Sequence, residues 1–503
     1  MTPKVQGVAV AALLGGPTVI AFFSGGYFQG PRLVAGIVAW ALVLVVAATV
    51  RRPLPSSGPG IAALAGLAGL AAWTGLSIAW APLRGPAFED FQRLLVYVAV
   101  LVAAAALLRP RALARAVEPA LAGGALIVIL YGLSNRVLPG IVHLAHSGSA
   151  GGRLEQPLTY WNAMGLLATL GFVLSTRIEG DPGRPEAMRA GGAAACVPFG
   201  VAVYISFSRG ALVALALGLV MLVLVMSTRA QLRAVFVALG AAVPAIIVAA
   251  LLPGVHALRG GLGAREAEGA AMLVVLLVLC AAAALAQRRF VQAAPPAPLR
   301  LPRRAPLYVA LVVCVLAAAG LAGALHEKHG AGTPAFGANA RRLSSVETNR
   351  TAYWDVAFRT FFHHPLKGHG SASFQVDWAR ERKIPDPAKD AHSLYFETAA
   401  ELGIVGVALL AALLYGVGAS AVRAHRRRPE LSAGWIAALS AWAVHAGLDW
   451  DWEMPAVALI ALLLAGALIA CADGGEPRRE AALVTSGHGA APPEPVTAGG
   501  GRT

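Results

Sequence analysis

The sequence predicts an all-α fold: a polytopic transmembrane bundle of about fourteen spans (about twelve if the shorter runs do not cross) with one large extracytoplasmic loop carrying short helices. Three observations predict it. The 503 residues are 57% hydrophobic and only 13% charged, with a mean hydropathy of +0.66, too little polar surface for a soluble fold of this length. Apolar runs of near-spanning length recur along the chain. The basic residues, finally, collect in alternate connections between those runs.

The runs fall at 5–27, 33–50, 61–80, 93–108, 113–133, 158–176, 191–207, 210–227, 233–252, 269–286, 306–325, 394–420, 433–447 and 455–471. Lys4 and the apolar stretch after it have the form of a secretory signal, but another run follows at once, so an uncleaved first helix is expected. With the N-terminus inside, Arg51, Arg52, Arg109, Arg111, Arg115, Arg177, Arg184 and Arg189 fall in cytoplasmic connections. So do Arg229, Arg233, Arg288, Arg289, Arg300, Arg303 and Arg304 of the proline-rich linker, Arg423, Arg426, Arg427, Arg428, Arg478, Arg479 and Arg502, which with Lys4 make 23 of the 41 basic residues. The net charge of +15 is thus a topology signal and not a nucleic-acid patch. The block 191–227 would be about 55 Å long as one helix. It is read as two spans joined by a tight turn at Ser206-Phe207-Ser208-Arg209-Gly210. The domain plan is spans one to eleven over 1–325, an extracytoplasmic loop over 326–393, spans twelve to fourteen over 394–471, and a disordered cytoplasmic tail over 472–503.

Cys196, Cys280, Cys314 and Cys471 all lie inside apolar runs without ligand-like spacing, so neither a disulfide framework nor a zinc site is read, and no metal or cofactor is assigned. Ten of the 12 histidines fall on or near the outer face in this topology, which argues against enzymes fed directly by cytoplasmic nucleotide sugars or ATP.

Asn349–Gly406 is the long polar island of the chain. Thr348 to Phe362 reads as a helix with Thr348 or Asn349 as cap, and Arg350, Trp354, Ala357, Phe358 and Phe361 share one face. Arg350 in the first turn either snorkels, pairs with Asp355 or Glu347, or binds an anion at the membrane surface. His392, just ahead of the span at 394–420, is either structural or a base or phosphate ligand at headgroup depth. Lys367 and His369, among glycines, form either a phosphate-cradling turn or a plain helix-terminating one. Glu397 and Glu401 stand one turn apart at the start of a span, and Glu401 is a candidate to orient a histidine or arginine. Asp449-Trp450-Asp451 spells a metal-binding D-x-D, but at the outer face it reads as a polar turn with belt aromatics. Glu89-Asp90 has no flanking motif.

Asn349-Arg350…Trp354, Pro365…Gly368-His369-Gly370…Phe374 and Ala391-His392-Ser393-Leu394…Glu401-Leu402-Gly403-Ile404-Val405-Gly406 together resemble the O-antigen ligase and polymerase family of bacterial membrane glycan transferases. The Ser-Arg-Gly turn at Arg209 resembles a family feature, and Arg153 to Gly165, with Tyr160-Trp161-Asn162, resembles more weakly the polar lead-in to an earlier span. The resemblance implies transfer of a glycan from an undecaprenyl-diphosphate-linked donor to an acceptor hydroxyl on a glycan or lipid-glycan outside the cytoplasmic membrane. Membrane lipids are the surrounding partners, and no nucleic acid is involved. Arg209, Arg350 and His392 become the catalytic candidates; Trp354, Lys367, His369, Glu401, Arg153 and Asn162 become substrate-binding candidates. The chain departs from the family pattern at Ser393, where asparagine is usual, and its span count exceeds that common in ligases. A transporter or flippase is the reading from another class.

Overall fold

The computed structural model describes residues 3–292, 298, 337–339, 343 and 349–474. The expected span at 306–325, Cys314, His326, His329, Glu347, Thr348, most of the 288–305 linker and the tail beyond 474 lie outside them.

Among the described residues the chain is all helical, with no β-strand. The α-helices run as α1 (Pro3–Ala21), α2 (Gln29–Thr49), α3 (Gly58–Ser77), α4 (Arg84–Leu107), α5 (Arg111–Val137), α6 (Trp161–Gly180), α7 (Glu186–Ile205), α8 (Arg209–Val225), α9 (Arg229–Leu251), the short α10 (Pro253–Ala257) and α11 (Leu262–Gln292). After the undescribed stretch come α12 (Arg350–His363), α13 (Phe374–Glu381), α14 (Leu394–Arg427), α15 (Pro429–Ala446) and α16 (Pro455–Asp473). Each of the expected apolar runs other than 306–325 coincides with one of these helices. Ten are long and apolar enough to cross a membrane. Three that fall short of that standard explain the gap: α8 has 17 residues, while α6 and α15 are less apolar. The protein is a polytopic helical membrane protein.

The 191–227 block divides as expected. α7 ends at Ile205, Phe207 takes φ +50°, and Ser208 caps α8 by accepting a bond from Ala211 N at 3.2 Å. α16 is the buried centre of the bundle, apolar all round and packed against α1, α4, α14 and α15. α3 and α14 touch backbone to backbone, because Gly416 has no Cβ where one would sit 2.3 Å from Ala63 N.

The two ends of the bundle differ chemically. At one end arginines dominate: Arg184 pairs with Glu118 at 2.8 Å and Asp181 at 3.4 Å, Arg109 donates to Arg52 O, and Arg177 donates to the carbonyl of Glu430 at 2.8 Å. At the other end α12, α13, the 138–160 connection and the 447–454 connection meet, and there the polar island lies.

Candidate active site

α12 begins one residue after Asn349, whose amide does not cap it and instead donates to Asp386 Oδ2 at 2.6 Å. The buried stripe of α12 is Tyr353, Val356, Ala357 and Thr360, displaced by one position from the expected face; Phe358 stays exposed, and it and Trp354 pack edgewise or tilted on Phe396. Among the described residues Asp355 pairs with Arg359, and Arg350 pairs with Asp449. Its Nη2 donates to Asp449 Oδ2 at 2.6 Å, with the guanidinium 19% exposed and the carboxylate 1%.

Asp449 is the hub of the site. The Tyr160 hydroxyl donates to its Oδ1 at 2.7 Å, Trp450 N donates to the same oxygen at 3.0 Å, and Asn162 Nδ2 donates to the Tyr160 hydroxyl at 2.8 Å. Burial disfavours the Asp449 anion, but Arg350, His392 and His445 outweigh it and hold this carboxyl below its ordinary range. The D-W-D segment is therefore not the surface turn with belt aromatics expected from sequence. Asp449 and Asp451 are both buried, and Trp450 packs on Tyr160 and Tyr27. Asp451 pairs with His445 Nδ1 at 2.5 Å, leaving His445 Nε2 buried without a partner.

His392 stands two residues before α14 with φ +54°. Its Nδ1 lies 3.0 Å from the carbonyl of Asp390, and its ring rests 5.0 Å from Tyr353. A carbonyl only accepts, so Nδ1 carries the proton and Nε2 is the basic nitrogen. Burial, assisted by Arg350 and opposed by Asp449, lowers the His392 pKa below the ordinary imidazole value. Ser393 does not orient the ring: its hydroxyl is buried without a partner. A Ser393→Ala variant should accordingly keep its unfolding temperature and its activity, since a buried unsatisfied hydroxyl contributes nothing favourable. A tenfold loss of activity in that variant would disprove this account.

Arg209 opens α8, half-buried, and its neighbour Gly210 lies against the His445 imidazole, 3.1 Å from where a Cβ would be built. The turn carrying Arg209 and the start of α12 thus approach the same segment, Gly210 against His445 and Arg350 on Asp449.

The remaining candidates hold the loop in place. α14 is broken at Gly403 (φ +64°, ψ −162°), and the Gly368–Gly370 turn plugs into the break. His369 N donates to Ala400 O at 3.1 Å, Gly370 N to Glu401 O at 2.8 Å, and Ile404 N to Pro365 O at 2.9 Å. Among the described residues the Glu401 carboxylate is engaged not by a histidine or arginine but by Ala372 N and Phe374 N, and so caps α13. Lys367 is exposed with Nζ 5.1 Å from the Trp80 ring, and His369 stacks on His364 and bonds Asp377. Arg153 is buried, its guanidinium 3.4 Å over the Trp161 ring and bonded to Ala150 O and Ser149 O.

Residues 261–411, which include α12, α13, His392 and the Gly403 break, match the family model described as O-antigen ligase. The chain carries an O-antigen ligase domain. No curated protein matches the chain. Such a domain belongs to glycan-transferring ligases and polymerases in general terms. Three residues of the candidate site, Asp449, Tyr160 and His445, lie outside the matched stretch and were not among the sequence candidates. The D-x-D spelling pointed at Asp449, but its expected meaning was a surface turn; Tyr160 was visible only as part of the lead-in to a span.

Proposed function

We propose that the protein transfers a glycan from undecaprenyl diphosphate to an acceptor hydroxyl at the outer face of the bacterial cytoplasmic membrane. The observation that carries this reading is the meeting of Arg350 and His392 around the buried Asp449, at the end of the bundle opposite the arginine-rich one. Arg350 and Arg209 bind the diphosphate and stabilise the charge on the leaving group without a metal at the phosphates. His392 Nε2 takes the proton of the acceptor hydroxyl, and one-step displacement at the sugar carbon inverts it. An apolar cavity of about 500 Å³ between α8, α14, α15 and α16 supports a lipid-linked donor. It runs from Leu394, Trp442 and Trp452 near the site to His425 and Arg426 at the other end, a path suited to an isoprenoid chain.

Deletion of the gene with glycan profiling tests the reaction. Accumulated long lipid-linked glycan marks a ligase, and accumulated single repeat units mark a polymerase using the same donor. Full transfer by Arg209→Ala, Arg350→Ala and His392→Ala alike would remove the enzyme reading and leave a transporter. The lowered pKa of His392 adds a pH test. A base acts in its unprotonated form, so a lowered pKa moves the acid limb down. The acid limb of the rate should therefore lie below the ordinary imidazole range of about 6.5. Half-loss of the rate above pH 7 would exclude His392 as the base.

A further inference from the structure

Behind the His392 segment lies a second polar cluster that the transfer reaction does not use. Asp390, Glu397 and Glu453 each offer an oxygen, and these atoms lie within 4.8 Å of one another. Beside them is a cavity of about 40 Å³, walled by Asp90, Arg93, Glu397, Glu401, Glu453 and Thr74 among others. Arg93 meets part of the charge, bridging Asp90 and Glu453 at 3.0 Å each. Glu401 is engaged by two backbone amides, and Asp90 Oδ2 by Ser371 Oγ. Ala391 N donates to Glu397 Oε2 at 2.7 Å. Thr74 is 1% exposed, yet its Oγ1 has no hydrogen-bond partner although it stands in the wall of this polar cavity. A buried hydroxyl without a partner beside clustered carboxylates marks a place for an oxygen-seeking ligand.

We propose that Asp390, Glu397 and Glu453 bind one hard divalent cation, which fastens the segment carrying His392 to the bundle. Three converging carboxylates are the oxygen donor set that a hard cation such as Ca²⁺ takes. The consequence for the fold follows from connectivity. Asp390 lies two residues before His392 and holds its Nδ1, Glu397 belongs to the first turn of α14, and Glu453 precedes α16. A cation shared by the three ties the outer loop to two helices of the membrane bundle. This site is structural and separate from the diphosphate chemistry above.

The test uses the full chain purified in detergent. After removal of divalent ions by a chelator, the protein is equilibrated with millimolar CaCl₂ and its bound calcium and unfolding temperature are measured. The expected result is one equivalent of calcium and a raised unfolding temperature. Both should be lost in Glu397→Gln and in Asp390→Asn, and both retained in Glu430→Gln, whose side chain pairs with Arg111 at the opposite end. No calcium on the wild-type protein, a measurement that needs no variant to fold, would overturn the proposal. So would a full equivalent retained by both cluster variants. Neither readout involves glycan transfer, so the outcome is independent of the proposed reaction.

Discussion

An Arg350→Ala variant is expected to lose glycan transfer by about two to three orders of magnitude, the usual effect of deleting one preorganised charge-stabilising group. It should also unfold more readily. The guanidinium is the cation bonded to Asp449, whose side chain is 1% exposed, and removing one partner of a buried pair costs about 3–5 kcal/mol. The residual exposure of Arg350 argues for the lower end of that range. The double variant Arg350→Ala/Asp449→Asn separates the two effects. Neutralising the orphaned carboxylate should return most of the stability and none of the activity. A double variant as unstable as the single one would mean that the Arg350–Asp449 pair is not what holds α12 to the 447–454 segment. Lysine at 350 should rescue stability better than transfer, because an ammonium supplies charge without the two-pronged grip on a phosphate.

The second large effect is expected at Gly403. Its φ of +64° with ψ of −162° is open to glycine alone, and an added Cβ would lie 2.5 Å from Leu366 O and 2.6 Å from Gly368 N. Gly403→Ala should therefore expel the Gly368–Gly370 turn from the break in α14, releasing the bonds from His369 N, Gly370 N and Ile404 N together. The strain alone costs about 1–3 kcal/mol. Loss of the turn should lower the unfolding temperature and abolish transfer even though no proposed catalytic residue is touched. Gly418→Ala in the same helix has open space around it and serves as the control. An unfolding temperature for Gly403→Ala equal to that of the control would show that the lock is not structurally significant.

How far the site could be read from sequence depended on the range of each interaction. The helix from Arg350 to His363 was legible because its apolar spacing repeats within a turn, yet its buried stripe came out one position off. Tyr353 and Thr360 carry hydroxyls and were not counted as apolar, although the fold buries both. The turn at Arg209 was legible from length alone, since a helix over 191–227 would overrun the bilayer. Glu401 was singled out correctly as a carboxylate in need of a purpose, but what it serves, the amides of Ala372 and Phe374, was invisible. Backbone amides carry no side-chain signature.

The sequence by itself determined the all-helical membrane class, the position of each described long apolar helix, the gathering of arginines at one end and the residues that mark an O-antigen ligase domain. These are properties of composition and local periodicity, written within a few turns of chain. Only the tertiary structure decided that Asp449 is the partner of Arg350, 99 residues away, and of Tyr160, 289 residues away. It alone decided that a broken helix holds the loop in place and that carboxylates from two connections and the first turn of α14 face one another behind His392. Such pairings depend on the path of the whole chain, and no short-range pattern records where two distant segments will be brought to face each other.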